Sequence, residues 1–346
     1  MVKKLQLAEL SQPEDEFISS TEYNQLSEVC LAYAQNIANR TPNINAVDIV
    51  IGQKGISMKC FIECLVGQYS RQLRIFNYNG PIFFDNCPTF TCLSDLTICT
   101  EDFEGRRLPS LCAETLRRVN IYIEVNTFKW EMLSVDSSSD TVAFKALESL
   151  RITSVYENPE EHIQQHLYST KLQHKKLTFP LLKNLFLNRV LLRKEEIQSL
   201  MQSPLKTLYF CGCTLQALEI CKQNLSSLDN ITLKIDNDSS TNVFTNNMNT
   251  ILTRTHGISI VSCIISTLPI DNDLSNVFWP NLTHLELHSE SDFGNIITAI
   301  PRMPDLVDMK LLLFSMSSRQ LKIAIEFLEN FKQYHSKPSL SLLQYL

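Results

Sequence analysis

The chain has 346 residues, 44% of them hydrophobic and 20% charged, which is enough apolar content for a large buried core. Its 8 glycines are about a third of ordinary usage, and no glycine-rich phosphate loop, nucleophile elbow or His-Glu-x-x-His helix occurs. A net charge of −6 with no long basic run argues against a nucleic-acid partner.

Residues 1–20 have no apolar signal core and soon reach Glu14-Asp15-Glu16, so they are expected to form a flexible N-terminal segment. From 21 to 40, Leu26, Val29, Cys30, Tyr33 and Ile37 fall on one helical face. This stretch is expected to be a helix that caps the open end of a solenoid. No window of about 18 residues is free of polar side chains, so no membrane span is expected. Most of the 11 cysteines lie inside apolar stretches, among them Cys60, Cys64, Cys99, Cys221 and Cys263. They read as reduced core thiols of a cytoplasmic or nuclear chain, in which the sequons at Asn224, Asn230 and Asn281 have no meaning.

From residue 41 to 346 one pattern organises the chain. L-x-x-L-x-L, allowing other large apolar residues for Leu, occurs at Leu93/Leu96/Ile98, Leu116/Val119/Ile121, Leu147/Leu150/Ile152, Leu182/Leu185/Leu187, Leu205/Leu208/Phe210, Leu228/Ile231/Leu233, Leu282/Leu285/Leu287 and Leu306/Met309/Leu311. A degraded copy lies at Ile44/Val47/Ile49, and two weaker ones, Leu73/Ile75 and Ile258/Ile260, have a polar first position. The eleven copies recur mostly at 23 to 27 residues, inside the window of about 20 to 29 typical of a leucine-rich repeat. Between copies, apolar residues three and four apart predict helices, as at Ile197/Leu200/Met201, Leu215/Leu218/Cys221, Val243/Phe244/Met248/Ile251/Leu252, Phe293/Ile296/Ile297/Ile300 and Leu321/Ala324/Ile325/Leu328. Two longer intervals carry insertions near 127–143 and 156–176, the second with a short helix beginning at Pro159.

Each unit is thus a short strand and a helix that bury their apolar faces only by stacking on neighbours. The expected fold is an α/β leucine-rich-repeat solenoid, a horseshoe with parallel strands on its concave side and helices outside. No linker divides it, and Leu340-Ser-Leu-Leu343 closes its far end.

Several strands are entered through an aromatic residue: Phe179-Pro-Leu-Leu182, Trp279-Pro-Asn-Leu282 and, without the proline, Phe144-Lys-Ala-Leu147. Together with Leu108-Pro-Ser-Leu111, these units resemble leucine-rich-repeat domains of the ribonuclease-inhibitor-like, F-box-associated class, and in particular the F-box-like repeat families of early-diverging fungi. The resemblance spans roughly residues 40 to 315. It implies protein recognition, and a ubiquitin-ligase adaptor as partner where an N-terminal F-box is present. Here some 20 residues precede the cap helix and hold no Leu-Pro, so a relative without a recognisable F-box is expected.

Side chains alternate along a strand, so residues beside the inward apolar pair face the concave surface. Aromatic and arginine side chains there are the types enriched at binding hot spots. The expected partner surface holds Arg74, Arg118, Tyr122, Arg151, Phe186, Tyr209, Lys234, His284, Glu286 and His288, with Phe76 also on this face. Tyr122, Phe186 and Tyr209 are expected to cluster near its middle. His162 and His166, four apart, are better read as incidental residues of a solvated helix than as metal ligands, and Cys211-x-Cys213 lacks a second pair. No nucleophile stands in a recognisable setting. The expectation is a non-catalytic recognition module without metal or cofactor: either the substrate-binding subunit of a cullin-based ubiquitin ligase, or a stand-alone scaffold or inhibitor.

Overall fold

The structure, a computed structural model, describes residues 3–8, 20–50, 56–80, 90–100, 114–123, 141–154, 176–190, 194–211, 225, 227–235, 250–265, 279–289, 303–314 and 339–345, with 322, 325, 326 and 329. Contacts divide the chain into two units: Met1–Glu157 with His162–Leu182, and Asn158–Glu161 with Lys183–Leu346. The division falls inside a repeat, where composition does not change.

In the first unit the strands β1 (Lys4–Ala8), β2 (Ala46–Val50), β3 (Ile75–Asn79), β4 (Asp95–Thr100), β5 (Arg118–Ile123) and β7 (Ser149–Ser154) pair in that order, every pair parallel. Two short strands, β6 (Thr141–Ala143) and β8 (Lys176–Thr178), form a separate parallel pair. They lie at the ends of the two expected insertions. Residues 124–140 and 155–175, with His162, His166 and the helix expected from Pro159, are outside the described residues.

The second unit holds β9 (Asn184–Asn188), β10 (Thr207–Cys211), β11 (Asn230–Ile235), β12 (Ile260–Ile265), β13 (His284–Ser289), β14 (Asp308–Phe314) and β15 (Ser339–Tyr345), again parallel and in chain order. Each unit is therefore α/β with an open parallel sheet and few helices among the described residues. No helix there is long and apolar enough to cross a membrane.

The repeat explains this order. Its second and third apolar positions are two residues apart and so share one side of a strand, and Val47, Ile49, Leu96, Ile98, Val119, Ile121, Leu150 and Ile152 are buried side by side. Each such side chain contributes roughly 1.5–3 kcal/mol on burial. A strand alone cannot hide this row; the next strand in register can. Just before the first apolar position the backbone turns, as when Leu182 N–H donates to Phe179 C=O and Leu282 N–H to Trp279 C=O. The aromatic that opens this turn is buried in each case, and Phe144 stacks on Phe179 with ring centroids 5.5 Å apart.

A second regularity fixes the register. The residue before a strand lends its carbonyl to two N–H groups of the next unit: Arg74 C=O accepts from Ser94 and Asp95, Ser94 C=O from Arg117 and Arg118, and Lys183 C=O from Lys206 and Thr207. At β1 the corresponding donor, Lys3 N–H, is instead taken by the side-chain Oδ1 of Asn45 at 3.1 Å.

Four expectations change. Residues 4–8 of the expected flexible segment are strand β1, because Leu5 and Leu7 continue the inward rows of Val47 and Ile49. Phe76 is buried and not on the exposed face: the copy there is Leu73/Phe76/Tyr78, with aromatics in the inward positions and Ile75 just ahead of them. In the same way Val261 and Cys263 are buried where Ile258/Ile260 were expected, and Ile260 is 39% exposed. Strand β12 also steps the ladder. Val261 aligns with Ile231 on one side, but Cys263, two residues on, aligns with Leu285 on the other, so Val261, Cys263 and Ile265 all point inward.

The fourth change concerns the helices. Helix α1 (Ser20–Arg40) packs on α2 (Ile56–Tyr69) through Cys30 and Ala34, while Val29 and Tyr33 of the expected stripe are 52% and 63% exposed. The contact line runs through the smaller residues, which let the helices approach closely. Tyr69 is buried with its hydroxyl 2.6 Å from that of Thr41. Helix α3 (Lys194–Met201) buries Ile197 and Leu200 as its spacing predicts.

Candidate functional site

The candidate surface is the outward side of the strands, described unit by unit. In the first unit it is laced by polar pairs between adjacent strands. Lys4 Nζ lies 2.6 Å from Asp48 Oδ2, which also accepts from Gln6 Nε2 at 3.3 Å. Arg118 pairs with Asp95, and Asn120 Nδ2 donates to Thr97 Oγ1 at 3.2 Å. At the strand entries Lys145 Nζ is 2.7 Å from Glu114 Oε1, and Arg117 is 4.0 Å from Glu148. The Lys145 hydrogen bond and charge hold the Glu114 carboxyl below the usual carboxylate range. Tyr122 is half-buried between Cys99 and Thr153 in register, and Arg151 is exposed. Arg74 is exposed too, but stands one residue before β3, where its backbone serves the ladder.

In the second unit, β9 and β10 bring Phe186 and Tyr209 together at one register level, ring centroids 6.0 Å apart and inclined by 33°. Tilted rings at this distance attract through their quadrupoles. Around them on the same face stand Asn184, Asn188, Thr207 and Asn230, all half-buried. Among the described residues the buried Oδ1 of Asn188 has no hydrogen-bond partner. Lys234 is half-buried one level along β11. Further on, His284 Nδ1 lies 2.8 Å from the Thr283 hydroxyl, and Glu286 accepts from Lys310 Nζ at 3.1 Å. Glu286 thus pairs with a lysine of the next strand, β14. His288 belongs to β13, but its side chain is outside the described residues.

The structure therefore joins Phe186 to Tyr209, while Tyr122 belongs to the first unit. Asp48, Asp95 and Thr97 stand on the face by the same alternation as Arg118. The sequence expectation weights aromatic and arginine side chains and passes over these three. The cysteines among the described residues are reduced thiols, with Cys30, Cys60, Cys211 and Cys263 buried, Cys64 and Cys99 half-buried, and Cys92 exposed. Among the described residues no group of three or more His, Cys, Asp or Glu is placed to hold a metal ion.

The chain matches no family model, no curated protein and no solved structure.

Proposed function

We propose that the chain is a non-catalytic protein-recognition module, a leucine-rich-repeat horseshoe whose outward strand face takes a protein partner. The observation that carries this is the Phe186–Tyr209 pair. Two large rings are held half-buried side by side on a regular strand ladder, with asparagine and threonine around them. Rigid aromatic side chains on a fixed frame lose little entropy on binding. The F-box-associated resemblance makes the partner's setting a cullin-based ubiquitin ligase, with this chain as the substrate-recognition subunit and an adaptor as its neighbour. Cytoplasm or nucleus is the compartment that goes with this reading.

Affinity purification of the intact chain, beside its Phe186→Ala/Tyr209→Ala variant, tests the proposal. The wild type is expected to hold adaptor and cullin subunits together with a protein that the double variant releases. Recovery of that releasable protein without adaptor or cullin makes the chain a free-standing scaffold or inhibitor. Identical recoveries from both chains remove the aromatic pair from the binding site.

A further inference from the structure

The sequence as a whole is acidic, with 31 Lys and Arg against 37 Asp and Glu. The described strands and turns of the first unit have the opposite balance. Their side chains include four carboxylates, of Asp48, Asp95, Glu114 and Glu148, and each is already paired with a cation of the same sheet. Twice as many cations stand there. Lys3, Arg71 and Arg74 are exposed and have no carboxylate partner among the described residues.

These three lie at one end of the strands. Lys3, Arg74 and Arg117 hold the same position in their units, immediately before β1, β3 and β5, and are tied by the shared-carbonyl ladder. Arg71 sits in the turn leading to β3, where its carbonyl accepts from Thr91 Oγ1 at 3.1 Å. Parallel strands stand about 4.8 Å apart, so the four strand steps from β1 to β5 make a rim of about 20 Å. An extended peptide rises about 3.3 Å per residue and would cover it with roughly six residues.

Resting on the recognition function proposed above, we infer that the strand-entry rim of the first unit, centred on Arg71 and Arg74 with Lys3 and Arg117 beside them, docks an extended acidic segment of the protein partner. Charge complementarity carries the assignment. Among the described residues the rim's carboxylates are paired internally, so an incoming Asp or Glu meets an excess of cations held in a fixed row. Arginine adds bidentate geometry that fits carboxylates. Such contacts chiefly steer encounter and fix register.

The test uses the full chain and a fluorescein-labelled peptide of alternating Glu and Ser, followed by anisotropy at low and high salt. A Lys–Ser peptide and a single-stranded oligonucleotide of equal length are run beside it. Binding of the Glu peptide is expected to fall with salt, and to weaken about tenfold in Arg71→Glu/Arg74→Glu, since two attractions become repulsions. Lys206→Glu, in the second unit, should leave it unchanged. Both changes are at exposed sites, and an unaltered thermal midpoint checks that each variant folds. Absence of salt-sensitive binding by the wild type, or equal binding by the double variant, overturns the inference. An oligonucleotide that outcompetes the peptide overturns it in favour of a nucleic-acid surface. If the peptide fails to bind while Phe186→Ala/Tyr209→Ala still releases a partner, only this inference falls and the recognition function stands.

Discussion

Phe76 and Phe186 have the same side chain and opposite fates, decided by the parity of their position in a strand. Phe76 is fully buried and stacks on Phe90 with centroids 5.8 Å apart, so Phe76→Ala should cost about 3–5 kcal/mol in urea unfolding. Phe186→Ala should change stability by no more than about 1 kcal/mol while releasing the partner; a large stability loss would make that ring part of the core. The cysteines divide in the same way. Burial pushes the Cys263 thiol up to about 12, and burial followed by the neighbouring Cys60 pushes Cys30 up to about 11. With folded values above the ordinary 9.0, both thiols favour the fold while protonated. Their contribution is complete below pH 9.0 and is lost as pH rises towards 11 and 12. Urea midpoints should therefore fall on that alkaline side, and Cys263→Ala should flatten the fall. At neutral pH a thiol reagent should modify exposed Cys92 at once, and Cys30 and Cys263 only on unfolding.

At the scale of elements, the strands were legible because an L-x-x-L-x-L repeat states both an inward pair and its spacing. Reading slipped where the inward residues were not leucines: Phe76 reads as a surface aromatic, and Val261 and Cys263 are passed over for Ile258 and Ile260. Helix α1 was legible as a helix but not in its facing, since an apolar stripe does not say which of its edges meets α2. The shared carbonyl cannot be read from sequence at all, because it uses only backbone. It does make a prediction. Lys206 is exposed and its N–H donates to Lys183 C=O at 2.7 Å. Lys206→Pro should therefore cost at least about 1 kcal/mol for the lost bond, whereas Lys206→Ala should stay within about 0.5 kcal/mol. Equal unfolding midpoints for the two variants would show that this bond contributes nothing.

At the scale of the molecule, register and chain length are uncoupled. From the copy at Leu116 to that at Leu147 the interval is 31 residues, against 23 from Leu93 to Leu116, yet Arg118 meets Ser149 as squarely as Asp95 meets Arg118. Doubling the stretch 124–140 with Gly-Ser should thus cost only about 0.6 kcal/mol of closure entropy, seen as a small shift in thermal midpoint with unchanged amide-exchange protection of β5 and β7. The division into two units was not legible, because the apolar repeat runs through Leu182 and Lys183 without interruption. The local charge excess was hidden as well: whole-chain charge averages over segments, and only the ladder reveals which cations line one rim.

The side chain of Asn45 bears on how such a sheet ends. Every parallel ladder leaves hydrogen-bonding groups along its outermost strand, an invitation for another chain to add itself and for molecules to polymerise end to end. Here Asn45 reaches across to occupy the N–H of Lys3, Lys4 places charge on the short strand that follows, and part of that invitation is answered from within the chain itself.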